Sequence, residues 1–477
     1  MGFGSKIKAI ALAVGLVMVA TMVRADFWSD TGANFKGITL HGVTEATPPS
    51  NYLSRVLTKD FERKTGIKVE IETTSWDQMY DKAIRDMQAG TGIYDMIYIE
   101  QDIIYFYLMR DWLIDITQSL IDNPDLMAPN FNEKNFTSFA DYFRGKNGDL
   151  YGVPMEAFIK LYLYRTDLFN DPEIKMAFRV KNGYDLAPAK THKQYTTITD
   201  FFTQWGKDHQ MKLWGSTAQA HTSHVSSWYE YFESILPSFG VYNWGLNADN
   251  NYAASVENGG AMNSDTAKRA LKWWLHLRDM APPESKESTW TEVATTFAAG
   301  RAAQGLIYGE NAAWIATDTT QSEVVGKVGM ALPPASESVM EDAKSGKGYI
   351  GYYDGGAFGL PVTSRHKEAA LLFLQYIGQN EVQPRWALTA PRITHTETYK
   401  SCEIMGMDRM LGGYYTLLRD KGKLFAGAPP YPFHAQLRDA TAPIFFQILT
   451  GKLEPEEGLD KMAAKAEKDL HTLGYRK

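Results

Sequence analysis

This sequence predicts an α/β fold divided into two lobes, and three observations carry that prediction. The first is length: 477 residues exceed what one compact core organises. The second is the element order near the start, strand, helix, strand, helix, strand with short connections, which marks a parallel sheet covered on both faces. The third is residues 150–169, where a strand carrying Pro154 meets a polar break at Met155-Glu156 and then an apolar, aromatic run from Phe158 to Tyr164. Proline has no backbone donor to give a central strand. The stretch therefore reads as one strand ending and another starting, a crossing between lobes with Glu156 near the gap. One long bent strand with a surface Glu is the alternative.

Taken in order, residues 1–25 read as a secretory signal peptide. Lys6 and Lys8 precede an apolar run from Ala9 to Val23 that is too short to span a membrane, and Val23-Arg24-Ala25 supplies small residues at −3 and −1. Asp26 would start the mature chain. Loss of three cations takes the net charge from −7 to −10, and an acidic protein is a poor nucleic-acid binder. The single cysteine, Cys402, excludes an internal disulfide.

Residues 38–43 alternate as a first strand, and Pro48-Pro49 can open the helix marked by Leu53, Val56, Leu57 and Phe61. Gly66 ends it. Ile67, Val69 and Ile71 give a second strand. Ser75-Trp-Asp-Gln78 has the capping-box pattern ahead of a helix with Met79, Ala83, Ile84 and Met87 on one face. Residues 94–99 form a third strand. Residues 171–191 read as a polar surface excursion and residues 333–348 as a linker. Helices follow over residues 198–205, 264–280 and 367–377, the last capped by Ser364, with strands over residues 304–308, 328–332 and 357–361. Residues 440–449 and 456–473 make a helical tail.

Ligands of open parallel sheets sit at the carboxyl ends of the strands. That rule selects Thr44 and Glu45, the Trp76 turn, and Glu100, Gln101 and Asp102. Each has a plainer reading: a helix cap, a core tryptophan, a solvated helix start. Together, polar and aromatic residues at three successive strand ends point to a site.

The ordered pattern resembles the extracellular solute-binding proteins of ABC importers, in particular their carbohydrate-binding family. The segments are Asp60-Phe-Glu-Arg-Lys-Thr-Gly-Ile-Lys-Val69, Tyr94-Asp-Met-Ile-Tyr98, Tyr151-Gly-Val-Pro154 with Leu163-Tyr-Arg-Thr-Asp-Leu-Phe169, Phe297-Ala-Ala-Gly-Arg-Ala-Ala303 with Trp314, Gly355-Gly356 through Ser364-Arg-His-Lys-Glu-Ala369, and Leu449-Thr-Gly-Lys452. The resemblance implies a two-lobed periplasmic-binding-protein fold of type II, with three interlobe crossings and ligand in the cleft. It implies one lobe over residues 26–152 plus 355–390 and another over residues 153–354 plus 391–477. It further implies ligand contacts from Glu156, His224, Trp228, Asn311 and Trp314, with Asp354, Gly355, Gly356 and Arg392 at the other crossings, and a last wall near Tyr431 and His434. This chain departs from the family before Trp314, where it reads Glu310-Asn-Ala-Ala-Trp314, so Asn311 is the alternative contact there. The implied function is capture of a carbohydrate or polyol by a monomer that delivers it to an inner-membrane permease, without cofactor or metal.

Enzyme signatures are weak. There is no HExxH, no G-x-S-x-G and no phosphate-binding glycine loop. His221 and His224 lack a nameable third ligand for zinc. A secreted glycoside hydrolase, using Glu156 with Glu45 or Glu100 across a sugar, remains the competing expectation.

Overall fold

The computed structural model describes residues 26–390 and 392–477, so the leader expected over residues 1–25 lies outside the described residues. Two five-stranded sheets organise the chain. The first begins with β1 (Thr39–Glu45), β2 (Lys68–Thr74) and β3 (Met96–Glu100), all parallel, with β1 central and in register with β2 from Thr39 opposite Lys68 to Glu45 opposite Thr74. β4 (Gly152–Pro154) is an edge strand, where a proline costs no ladder bond. The second sheet is built on β5 (Phe158–Arg165), flanked by β6 (Trp214–Ser216), β7 (Ala302–Tyr308) and β8 (Val328–Ala331) in the order β6-β7-β5-β8. Short β9 (Tyr353–Asp354) also pairs with β5, and β10 (Gly356–Gly359) returns to the first sheet between β3 and β4.

Two straps are therefore explicit. Residues 155–157 lead from β4 to β5, and Gly355 alone separates β9 from β10. The straps are bonded to each other: Gly356 N donates to Glu156 O at 3.1 Å and Glu156 N to Gly356 O at 2.9 Å. Gly355 has φ +134°, and a Cβ there would run into the Glu156 carbonyl oxygen, so only glycine fits the crossing. Beyond the undescribed Pro391 the chain still pairs with the first lobe: Thr137 N donates to Thr394 O at 2.9 Å, and Thr396 Oγ1 to Asn135 O at 3.0 Å. Helix Cys402–Asp408, with Cys402 exposed, then leads to Gly412 against Val328 of the second sheet.

Local chemistry explains the elements around the site. Thr47 Oγ1 caps Ser50 N with Pro48 at the first helical position, and helix Pro48–Tyr52 passes through a π turn, Leu53–Leu57, into helix Thr58–Thr65, which Gly66 ends at φ +75°. Helix Trp76–Ala89 buries Met79, Ala83 and Met87 as the spacing requires, but Ser75 makes no side-chain cap and Gln78 instead accepts from Thr74 Oγ1 at 2.7 Å. Ser364 is likewise displaced from the cap: it donates to Asp95 Oδ1 at 2.8 Å, and His366 takes the N-cap position of helix Lys367–Ile377.

Two stretches expected to be irregular contain helices. Pro172–Asn182 is capped by Asp171 and buries Ile174 and Phe178, one turn apart. Glu337–Ser345 is capped by Ser336 and buries Val339 and Ala343. In both, an i, i+4 apolar pair outweighs the polar composition. The first lobe packs around Phe61, Phe373, Tyr376 and Trp28, and the second sheet is backed by Tyr162, Tyr195, Phe169 and Phe202.

Candidate ligand-binding cleft

The carboxyl ends of β1 and β3, and the helix start after β2, converge with the straps and the end of β7 on one cavity. From the first lobe it is lined by Glu45, Trp76, Tyr98 and Glu100. Phe158, Asp354 and Tyr352 line it from the straps and their flanks, and Tyr229, Trp290, Tyr308 and Glu310 from the second lobe. Its volume of about 40 Å³ corresponds to roughly three water positions at 10–15 Å³ each. The lobes meet around it through direct hydrogen bonds, a closed arrangement.

Closure is held by polar contacts between lobes. Asp102, just past β3, accepts hydrogen bonds from Tyr80 Oη at 3.0 Å, from Tyr229 Oη, and from Arg438 Nη1 at 3.5 Å. Arg438 lies on helix His434–Leu449, with its guanidinium 4.9 Å from the Trp76 ring centre, and it also donates to Tyr229 Oη at 2.7 Å. Trp76 meets Tyr229 and Trp290 edge-on, with centroids 6.0 and 6.2 Å apart. Gln101 Nε2 donates to Tyr353 O at 2.7 Å, and His224 on the rim faces Asp77 at 3.6 Å.

The cavity is strongly acidic. Glu100 accepts from Trp76 Nε1 at 2.9 Å and Tyr80 Oη at 3.1 Å, and Asp354 accepts from Gly355 N at 2.7 Å. Burial, then the charges of Glu156, Asp354 and Asp77, push Glu45 up to about 8. Burial, with Asp102 and Glu156 nearby, brings Asp354 to about 7 against the backbone bond of Gly355. Burial first and neighbouring carboxylates second also raise Glu100 and Glu310 well above the usual range.

Of the residues expected from sequence, Glu45, Trp76, Glu100 and Asp354 line this cavity. Others stand one step behind it. Thr44 is fully buried against Ser50 Oγ at 3.0 Å. Glu156, 1% exposed, accepts from Thr47 Oγ1 at 2.5 Å and Ser50 Oγ at 3.3 Å, and burial pushes it up to about 7. It therefore joins the strap to the first helix rather than forming the wall. Gly355 and Gly356 are strap residues, and Gly356 admits the Tyr98 ring where a Cβ would collide.

The structure turns others away. Trp228 is a core residue, 1% exposed, stacked on Phe232 at 4.5 Å with Nε1 bonded to Thr441 Oγ1 at 2.9 Å. Trp314 donates to Asn311 Oδ1 at 2.9 Å, which ties up both residues beside the site. Arg392, fully buried, lies 4.0 Å from the Trp386 ring centre and donates to Thr394 Oγ1 at 2.6 Å. Tyr431 and His434 are buried too, His434 against Glu233 at 3.2 Å, and neither lines the cavity. The wall residues that sequence reasoning missed are Tyr98, Phe158, Tyr229, Trp290, Tyr308, Glu310 and Tyr352. Among the described residues no cluster of three or more His, Cys, Asp or Glu side chains could hold a metal ion.

Two α/β lobes joined by straps and closed on an acidic, aromatic cavity define a cleft-binding protein. Comparison with known proteins makes this specific. The family of bacterial extracellular solute-binding proteins matches residues 46–384, and the chain belongs to it. Among similar solved structures is an ABC transporter solute-binding protein from Agrobacterium vitis S4 with bound D-mannitol. It is 18% identical with TM-score 0.72, covering 92% of this chain and 100% of that one. A ribitol complex from Agrobacterium radiobacter K84 is 18% identical with TM-score 0.71, covering 91% and 99%. The maltose-bound MalE3 of T. maritima is 17% identical with TM-score 0.70, covering 91% and 100%. The two-lobed fold is thus shared over nearly the whole chain.

Proposed function

We propose that this protein is the periplasmic receptor of an ABC importer, that it captures a polyhydroxylated small molecule, a carbohydrate or polyol, and that it passes the molecule intact to a membrane permease. The observation that carries the reading is the cavity itself. Acceptor carboxylates and aromatic faces from both lobes meet at the strap junction, where hinge motion opens and closes them. Similar proteins with bound mannitol, ribitol and maltose support the ligand class. In this reading the first lobe is residues 26–152 plus 355–390 and the segment through Lys400, and the rest is the second lobe. Residues 1–25 are removed on export, and the receptor acts as a monomer.

Aromatic rings offer flat apolar surface to a sugar's C–H face, and buried acceptors leave a ligand without matching hydroxyls at a loss. Closure removes water and presents both lobes together to the permease. A glycoside hydrolase instead needs one carboxyl kept protonated and another kept ionised. Here Glu45, Glu100, Glu310 and Asp354 are all shifted the same way, which favours binding over hydrolysis.

A thermal-shift screen of the mature protein against sugars and polyols tests the proposal. A ligand at one hundred to one thousand times its dissociation constant stabilises by about 3–4 kcal/mol, a visible shift. Steady consumption of a glycoside by the purified protein would overturn the reading.

A further inference from the structure

We propose that the ligand carries positive charge as well as hydroxyls, a polyhydroxylated amine such as an amino sugar or aminated polyol; this rests on the solute-capture reading above. Four carboxylates, Glu45, Glu100, Glu310 and Asp354, line one small cavity, and among the described residues no Lys or Arg lines it. The cations nearby are engaged elsewhere. Arg438 stands behind Trp76 on Asp102 and Asp439, Lys160 is bonded to Glu230 and Gln219, and Arg392 packs on Trp386. His224 is on the rim with Asp77.

Two of these acceptors, Glu310 and Glu45, are short of donors. Glu310 is 8% exposed, and its hydrogen bond from Asn311 Nδ2 is 3.4 Å long. Among the described residues no side chain donates a hydrogen bond to Glu45. An ammonium group supplies what is missing: three N–H donors and a charge that offsets the mutual repulsion of the carboxylates. The aromatic walls point the same way, because rings such as those of Trp290 and Phe158 attract cations as well as C–H groups. A neutral polyol would leave the carboxylates protonated or opposed to one another. Binding an ammonium ionises them, so the complex forms with release of protons near neutral pH.

The test is titration calorimetry at pH 7 with matched pairs: sorbitol and glucamine, glucose and glucosamine, galactose and galactosamine. At least one amine should bind ten times or more tighter than its neutral partner. Its binding enthalpy should differ between phosphate and Tris buffers by the amount that release of about one proton requires. Glu310→Gln should shrink the amine-to-neutral ratio at least fivefold, and Glu45→Gln serves if that variant does not fold. If the neutral partner binds as tightly as the amine in every pair that binds, the charge inference fails while solute capture stands. If neither these compounds nor the wider sugar and polyol panel bind, solute capture fails and takes the inference with it.

Discussion

Substituting Asp102→Asn should loosen the closed form without unfolding either lobe. The carboxylate is 2% exposed and sits between Tyr80 of its own lobe and Tyr229 and Arg438 of the other. Asparagine keeps one acceptor, but it turns an N–H₂ toward groups that also donate and removes the charge facing Arg438. Breaking a buried pair costs about 3–5 kcal/mol when one charge is left uncompensated. Arg438 keeps Asp439 at 2.9 Å and is itself slightly exposed, so about 2–3 kcal/mol is the better figure, with a hydrogen bond to a charged group alone contributing about 1.5–3 kcal/mol. The lobes of the open form are hydrated and feel little of this. At about 1.4 kcal/mol per tenfold, the closed-to-open ratio should fall roughly 30- to 150-fold, and ligand affinity should fall by up to that factor where the closed form limits binding. Small-angle scattering reads the first effect and calorimetry the second. A double-mutant cycle with Tyr229→Phe should give a coupling of about 1–2 kcal/mol. An Asp102→Asn protein with unchanged scattering profile and affinity within twofold of the parent would refute the latch.

Gly355→Ala should destabilise by about 3 kcal/mol, because φ +134° and the Glu156 carbonyl both exclude a Cβ; chemical denaturation measures it. Lys160→Met should cost about 3–5 kcal/mol by stranding the buried Glu230 carboxylate, and Lys160→Met with Glu230→Gln should recover most of it. Glu45, at about 8, and Asp354, at about 7, are raised above their unfolded values near 4.5 and 3.8. Their stabilising contribution is complete below the unfolded values and is lost as pH rises through 7–8. The melting temperature of the ligand-free protein should therefore fall between pH 6 and 8.5, and Glu45→Gln should flatten that slope.

The first three strands and the helices between them were legible because strands with apolar alternation and helices with stripes follow local rules, whereas the order of strands within each sheet, set by long-range pairing, was not. Of the residues the strand-end rule selects, Glu45, Trp76 and Glu100 line the cavity, while Thr44, Gln101 and Asp102 do not. The second lobe's wall was harder. Within Trp228-Tyr-Glu-Tyr231 successive side chains point about 100° apart, and the π turn Glu230–Ile235 shifts the phase again, so the sequence could not choose Tyr229 over Trp228. Glu310 and Asn311 pose the same problem one residue apart. Tyr352 and Tyr353 are adjacent and both buried, because the strap lies between two lobes. Trp290 opens a helix with no local mark of the cavity; only tertiary packing brings it to Trp76.

Cys402 offers a practical opening. It is the chain's only thiol, it is exposed, and it sits on the segment that carries the backbone from Thr394 and Thr396 beside the first sheet to Gly412 beside the second. A maleimide fluorophore would attach there and nowhere else, with no engineering of the natural sequence. A dye there should report flexing of the junction as a change in emission, which would let the unaltered receptor serve as an optical sensor for screening compound libraries.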